Sequence, residues 1–91
     1  MNKQIWKFQL TSFKMSIDVP IGAEILSVQM QGDIPCIWLL VNPKAPTQSR
    51  YFEIYGTGTD IPYDMGIMRN YIGTYQLDNG DFIFHVFERI N

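Results

Sequence analysis

The chain has 91 residues, a formal net charge of −2 and a pI near 5.1. Hydrophobic residues make up 46% of it and charged residues 18%, which is typical of a globular domain and excludes a disordered chain. Its 7 Lys and Arg are scattered singly along the sequence. This argues against DNA or RNA as the main partner, because nucleic-acid binding relies on clustered positive charge.

The cysteine content and the apolar runs limit the class of protein further. Cys36 is the only cysteine, so an intrachain disulfide is excluded, and its apolar neighbours predict a small buried side chain. The longest apolar run is far shorter than the ~20 residues of a transmembrane helix, and no signal peptide precedes the first alternating segment. We therefore expect one domain over residues 1–91, no membrane association and a cytoplasmic location.

Apolar and polar residues alternate along the first part of the chain, which predicts β-strands. One strand is expected over 4–10, with its large apolar side chains on one face, and a second is expected over 14–19. Because residues 11–13 form only a short link, these two strands are expected to pair as a hairpin.

A second hairpin is predicted for the strands over 24–31 and 34–42. Gly32 and Asp33 suit its two-residue turn, because glycine readily takes the positive φ of the first position in a type II′ turn. The register counted back from this turn places apolar residues opposite each other: Val28 and Ile37, Leu26 and Leu39. The second strand is apolar on both faces, which favours a central, covered position in its sheet.

The last hairpin has the clearest turn signal. Asn79-Gly80 is the preferred dipeptide of a type I′ turn, so strands over 71–77 and 82–88 are expected to pair. This register sets the following residues opposite each other: Leu77 and Phe82, Gln76 and Ile83, Tyr75 and Phe84, Thr74 and His85, Gly73 and Val86, Ile72 and Phe87. Gly73 lies among large residues in mid-strand, which predicts a bulge or a close approach of another backbone.

Between these hairpins, a further strand is expected over 50–55, and residues 56–70 are expected to form an irregular excursion with at most one helical turn. The predicted fold is therefore all-β. About seven strands, built from hairpins, form a small antiparallel sheet or sandwich, or a partly open barrel.

The strand over 50–55 and the glycine-rich turn after it supply the candidate ligand site. Glycines let backbone N–H groups face an anion, threonines add hydroxyl donors, and arginine with tyrosine can hold a phosphate and stack on a base. This nucleotide-sized recognition set consists of Arg50, Tyr51, Tyr55, Gly56, Thr57, Gly58, Thr59 and Arg69. Alternation places Arg50 on the face opposite to Tyr51 and Tyr55. A tight turn that only ends the strand is the alternative role for the glycines.

His85 is the only histidine. Without a second histidine or a nearby cysteine it cannot make a conventional zinc site, and no serine lies in a nucleophile elbow. The expected role is a half-buried strand histidine that is hydrogen-bonded to a neighbour, with Thr74 opposite. The carboxylates form no recognisable acid–base pair, so we expect no catalytic residue, no metal and no cofactor.

Six segments, taken in order, resemble a family of small phage and prophage proteins that is catalogued as a domain of unknown function. They are Ile5–Phe8, Pro20–Gln29, Pro35–Val41, Phe52–Gly58, Tyr71–Gln76 and Phe84–Glu88. In that family a histidine often follows the Gly-Thr-Gly turn, where this chain has Thr59. The resemblance implies a phage gene product that acts inside an infected bacterium, and it offers no catalytic residue to transfer. Small acidic phage proteins of this kind often antagonise host defence.

The leading hypothesis is therefore a non-catalytic host-defence antagonist that sequesters a small nucleotide-derived signal. The alternative is an inhibitor that binds a host defence protein through an acidic and aromatic surface, and an enzyme that uses His85 comes third. The chain lacks the lysine-rich edge strands that protect many β monomers, and it is rich in aromatic residues, so a homo-oligomer is expected.

Overall fold

The computed structural model describes residues 2–63 and 65–90. This part of the chain contains seven strands and one short 3₁₀ turn, Asp78–Gly80. The strands are β1 (Gln4–Gln9), β2 (Lys14–Pro20), β3 (Glu24–Gln31), β4 (Ile34–Val41), β5 (Thr47–Gly56), β6 (Arg69–Leu77) and β7 (Phe82–Arg89). They form a three-stranded sheet in the order β1-β4-β3 and a four-stranded sheet in the order β2-β5-β7-β6, and every pairing is antiparallel. The all-β prediction is confirmed, as two open sheets rather than a closed barrel.

The two sheets enclose one apolar core between their inner faces. Ile37 and Leu39 enter it from β4, and Phe52 and Val86 enter it from the four-stranded sheet. All four side chains are fully buried, because alternate residues of each strand point toward the opposite sheet. The remaining alternate residues lie on two outer faces, and the outer face of the four-stranded sheet carries most of the candidate site.

The predicted hairpin between β1 and β2 is wrong. β1 pairs with β4, and β2 pairs with β5 in the other sheet. Residues 10–13 cross between the layers: the Leu10 N–H donates to the Pro35 carbonyl at 2.9 Å, and the Phe13 carbonyl accepts from the Ile54 N–H at 2.8 Å. Both strands present an apolar face to the same core from opposite layers, so alternation alone could not show which sheet each joins.

The β3–β4 hairpin is confirmed, and β4 is central in its sheet. Gly32 takes the positive φ of +61° that the turn requires, and Val28 lies opposite Ile37 as predicted. The predicted pairing of Leu26 with Leu39 is wrong, since Ile25 takes that position. A bulge between Ile25 and Ser27 shifts the register and turns Leu26 outward, where it is 46% exposed.

The C-terminal hairpin has the predicted turn. Asn79 at φ +57° and Gly80 at φ +93° take left-handed conformations, and the Asp81 N–H donates to the Asp78 carbonyl at 3.1 Å. The predicted pairs from Leu77–Phe82 back to Gly73–Val86 are all present. Only the predicted pair of Ile72 with Phe87 is wrong, because a bulge between Tyr71 and Gly73 brings Tyr71 opposite Phe87.

Gly73 brings β6 close to β3 of the other sheet. A Cβ atom added there would lie 3.0 Å from the Cβ of Val28 on β3. The predicted bulge is therefore confirmed, whereas the close neighbour of Gly73 is the side chain of Val28 rather than another backbone.

Residues 57–63 and 65–68 form neither a strand nor a helix, which agrees with the irregular excursion expected here. No helix within the described residues is long and apolar enough to cross a membrane.

Candidate functional site

The glycine-rich turn ends β5 and uses its own backbone donors. Gly58 has a φ of +85°, and the Thr59 N–H donates to the Gly56 carbonyl at 3.0 Å, as in a type II turn. The Thr57 N–H donates to the carbonyl of Ile83 at 3.0 Å. Two N–H groups that an anion would need are therefore already bonded within the chain.

Arg50 lies on the inner face of β5, opposite to Tyr51, as alternation predicts. Its guanidinium makes a two-pronged ion pair with Glu88, with Nε–Oε2 at 2.6 Å and Nη2–Oε1 at 2.7 Å. Its Nη1 donates to the Ala23 carbonyl at 2.6 Å. The hydrogen bond to Glu88 raises the pKa of Arg50 above its usual value, although burial works against it. Arg50 thus ties β5 to β7 and to the start of β3.

Arg69 is likewise committed to a carboxylate, on the outer face of the same sheet. Its Nε lies 2.5 Å from Oε1 of Glu53, and its Nη1 donates to the Pro62 carbonyl at 3.0 Å. Glu53 is only 2% exposed although it points away from the core. Arg69 therefore bonds to Glu53 within the sheet and, through its other donor, to Pro62 in the segment after the glycine-rich turn.

Tyr55 lies beside this ion pair, and it is 7% exposed. Its hydroxyl is buried without a hydrogen-bond partner among the described residues. Burial raises the pKa of Tyr55, the nearby Glu53 carboxylate raises it further, and Arg69 opposes that effect. Both charged groups are thus close enough to influence the hydroxyl, but neither has the geometry of a hydrogen bond to it.

Aromatic rings line the rest of this outer face. The Arg89 guanidinium lies 5.6 Å from the centre of the Tyr51 ring. Phe87 meets Tyr55 and Tyr71 edge-on, with ring centres 6.1 Å and 5.7 Å apart. A surface pocket of about 460 Å³ opens at this end of the sheet, and Arg50, Tyr51 and Arg89 are among its lining residues.

The predicted site residues therefore divide into two groups. Arg50 and Tyr51 meet at the pocket, together with Arg89, which the sequence analysis did not single out. Tyr55 and the four residues of the glycine-rich turn lie further along β5. Arg69 lies on β6 opposite Arg89, but its guanidinium is bonded to Glu53. Arg89 could be found only from the pairing of β5 with β7, which sets it opposite Tyr51.

His85 lies in a chain of hydroxyl groups on the same face. Its Nε2 is 2.7 Å from Oγ1 of Thr57, and its Nδ1 is 3.0 Å from Oγ1 of Thr74. The Tyr71 hydroxyl is hydrogen-bonded to Thr74 in turn. These contacts confirm the expected half-buried, hydrogen-bonded strand histidine opposite Thr74. Among the described residues, no carboxylate joins these hydrogen bonds and no group is arranged to hold a metal ion.

The segment that runs from the glycine-rich turn to β6 exposes large apolar side chains. We call residues 57–63 and 65–68 the apolar loop. Ile61 is 43% exposed, Tyr63 96%, Met65 92% and Met68 61%. At its base, the Met68 carbonyl accepts a hydrogen bond from the Ile90 N–H at 2.8 Å. In the sequence, the only sign that this loop could have a function is a tyrosine and two methionines in a stretch without alternation.

These features define a small two-sheet β protein with a polar, aromatic outer face and an apolar loop fastened to it. The chain belongs to a family described as a domain of unknown function (DUF7352), whose model matches residues 1–91. No curated protein and no solved structure matches it significantly.

Proposed function

We propose that this chain is a non-catalytic binding protein that engages a protein partner through the apolar loop. The observation that carries the proposal is the exposure of Tyr63 and Met65, at 96% and 92%. Tyrosine and methionine are enriched in protein interfaces, and methionine adapts its shape to irregular partner surfaces. Exposed side chains of this size gain much free energy when a partner buries them.

The anchoring of the loop supports the same proposal. The Thr57 N–H, the Pro62 carbonyl and the Met68 carbonyl each bond to the four-stranded sheet or to the strand end beside it. Because these contacts limit the conformations of the backbone, less entropy is lost when a partner binds. The buried Glu53–Arg69 ion pair joins β5 to β6 and so holds in place the arginine that donates to Pro62.

The sequence resemblance to phage and prophage proteins points to the kind of partner. Some small acidic phage proteins antagonise host defence by occupying a host protein, so a host defence protein in the bacterial cytoplasm is the proposed target. Fold and family alone assign no target, and this step rests on the resemblance.

Sequestration of a nucleotide-derived signal is the second candidate. The pocket lined by Arg50, Tyr51 and Arg89 favours it, because arginine and an aromatic ring are the groups that hold a phosphate and a base. In the free chain, however, Arg50 is bonded to Glu88 and Arg69 to Glu53. A phosphate would have to compete with both carboxylates, so this candidate ranks below protein binding. An enzyme that uses His85 ranks third.

Photo-crosslinking followed by affinity measurement tests the proposal. A photo-reactive amino acid at position 63 should crosslink to one host protein in a bacterial lysate, and the same amino acid at position 34 should not. Ile34 is a matched control because it is 43% exposed and lies in the other sheet. With the crosslinked protein purified, Tyr63→Ser with Met65→Ser should weaken binding roughly thirtyfold or more, as expected for a loss of about 2 kcal/mol at an interface hot spot.

Two results would reject protein binding through the loop. The first is that positions 63 and 34 give the same crosslinked products. The second is that the double variant binds the partner with unchanged affinity.

Calorimetry with cyclic and ADP-ribose-derived nucleotides decides the second candidate: saturable binding that Arg89→Ala removes would place sequestration first. Loss of function in His85→Ala, with the fold and both kinds of binding intact, would favour the enzyme.

A further inference from the structure

A second, different cavity opens between the two sheets, at the crossing segment of residues 10–13. It has a volume of about 430 Å³, within the range of small-molecule pockets in proteins. Its deeper wall is aliphatic, formed by Leu10, Ile54 and Leu77. Leu10 and Ile54 belong to the core, so the cavity extends from the surface to the interior packing.

One wall of this cavity is a row of three aromatic rings. Phe84 lies in the middle, with its ring centre 5.6 Å from that of Phe13 and 5.4 Å from that of Tyr75. The interplanar angles are 33° and 29°, so Tyr75 stacks on Phe84 and Phe13 is tilted against it. Phe13 is 59% exposed at the mouth of the cavity, whereas Tyr75 is 6% exposed. Such a wall suits a flat ring, which gains stacking as well as burial.

Tyr75 also supplies an unused polar group. Its hydroxyl has no hydrogen-bond partner among residues 2–63 and 65–90, and the oxygen keeps some contact with solvent although the residue as a whole is 6% exposed. Because the oxygen still reaches solvent, water can bond it in the free chain, and a ligand in the cavity can take the place of that water. Burial raises the pKa of Tyr75, so the hydroxyl stays protonated at neutral pH and can donate.

The charge of the lining restricts the ligand further. None of the described residues that line the cavity is charged at neutral pH, and Thr11 and Ser12 at the mouth are the other polar residues. An anion or a cation would lose its hydration here without gaining a partner of opposite charge. We propose that this cavity binds a neutral aromatic molecule that carries a hydrogen-bond acceptor, with the acceptor bonded to the Tyr75 hydroxyl.

This site is separate from the apolar loop and from the pocket beside Tyr51. It is formed by inner-face residues and the crossing segment, whereas those two features belong to the outer face and the end of the four-stranded sheet. The inference therefore does not rest on the proposed protein partner, and either can fail without the other.

NMR titration of the ¹⁵N-labelled chain with acetophenone, toluene and benzoate tests the inference. Acetophenone has a neutral ring and a carbonyl acceptor, toluene lacks the acceptor, and benzoate is charged. Acetophenone should give saturable shifts in residues 10–13 and 75–84, toluene should bind the same residues more weakly, and benzoate should not bind there. Tyr75→Phe should weaken acetophenone binding about three- to tenfold, the loss of one neutral hydrogen bond, and should leave toluene unaffected.

Tyr71→Phe is the matched control, because Tyr71 lies on the same strand but on its outer face. It should bind acetophenone as the natural chain does. The inference is overturned if acetophenone shifts stay linear or spread over the surface. It is also overturned if Tyr75→Phe and Tyr71→Phe bind alike. The comparison of acetophenone with toluene in the unaltered chain decides the role of the acceptor even if a variant fails to fold.

Discussion

Two glutamates, Glu53 and Glu88, are among the most buried residues of the chain, and each is paired with an arginine of another strand. A buried carboxylate is unfavourable unless a charged partner and hydrogen bonds replace its water. The sequence shows where these four residues stand but not that they pair, because Glu88 meets Arg50 only through the pairing of β5 with β7. Both arginines looked available for a phosphate in the sequence, whereas in the fold each one is bonded to a glutamate.

The alternation of side chains along β5 could also be predicted from the sequence. It correctly placed Arg50 on one face and Tyr51 and Tyr55 on the other. It could not show that Glu53, between the two tyrosines, would be covered, since the cover comes from a segment without any periodic pattern.

The Tyr55 hydroxyl gives a prediction at the residue scale. Because it is buried without a partner among the described residues, its removal should relieve an unfavourable desolvation. Tyr55→Phe should leave the free energy of unfolding unchanged or raise it by up to about 1 kcal/mol, as measured by urea denaturation. Tyr71→Phe is the contrasting variant, because its hydroxyl is bonded to Thr74, and it should lose about 0.5 kcal/mol. A clear destabilisation by Tyr55→Phe would contradict this account.

At the scale of the strands, turn chemistry was the most informative signal. Gly32 and the Asn79-Gly80 pair fixed two hairpins and most of their register, since few residues accept the required positive φ. The partner of β1 was not predictable, because its pattern fits any strand that faces the core. The bulges at Leu26 and Ile72 were also hidden, since an extra residue leaves the apolar composition of a strand unchanged.

Gly73 links the two sheets, and it gives a prediction at this scale. An alanine Cβ would lie 3.0 Å from Cβ and 3.1 Å from Cγ2 of Val28, which is too close without a shift of one strand. Gly73→Ala should therefore lower the free energy of unfolding by about 1–3 kcal/mol, the usual effect of overpacking. The double variant Gly73→Ala with Val28→Ala should lose less free energy of unfolding than the sum of the two single losses, because the smaller side chain leaves room for the added Cβ. A double-mutant cycle measured by urea denaturation would show this difference. Strict additivity would mean that the contact with Val28 is not the cause.

At the scale of the whole molecule, the uncovered outer face of the three-stranded sheet bears on the predicted self-association. Ile5 is 61% exposed and Leu26 46% exposed, and both line a shallow pocket with Trp38. Lys7 lies on this face of β1, and Glu24 lies on the same face of β3, across the central strand. Two copies packed face to face about an axis along β4 would set β1 of each over β3 of the other. By register, Ile5 and Lys7 of one copy would then lie over residues 24–27 of the other, which include Glu24 and Leu26. Apolar side chains and opposite charges therefore fall within one patch, and the face is complementary to itself.

A two-fold dimer through this face would also serve the proposed function. The apolar loop lies on the outer side of the other sheet, so both loops of the dimer would remain free and point away from each other. A dimeric or clustered target would then bind more tightly than one loop allows, by avidity rather than by new contacts.

Light scattering at micromolar concentration should give a mass of twice the 10.6 kDa chain. Leu26→Lys should shift the protein to the monomer, because it removes an apolar contact and places a new charge near Lys7 of the second copy. Adding Lys7→Glu to the same chain should restore part of the dimer, since the introduced lysine then faces a carboxylate. Phe82→Lys, at a side chain 54% exposed in the other sheet, is the control and should stay dimeric. If the unaltered chain is monomeric, or if Phe82→Lys dissociates it as well as Leu26→Lys does, this face is not the interface, and the apolar loop acts singly or through another contact.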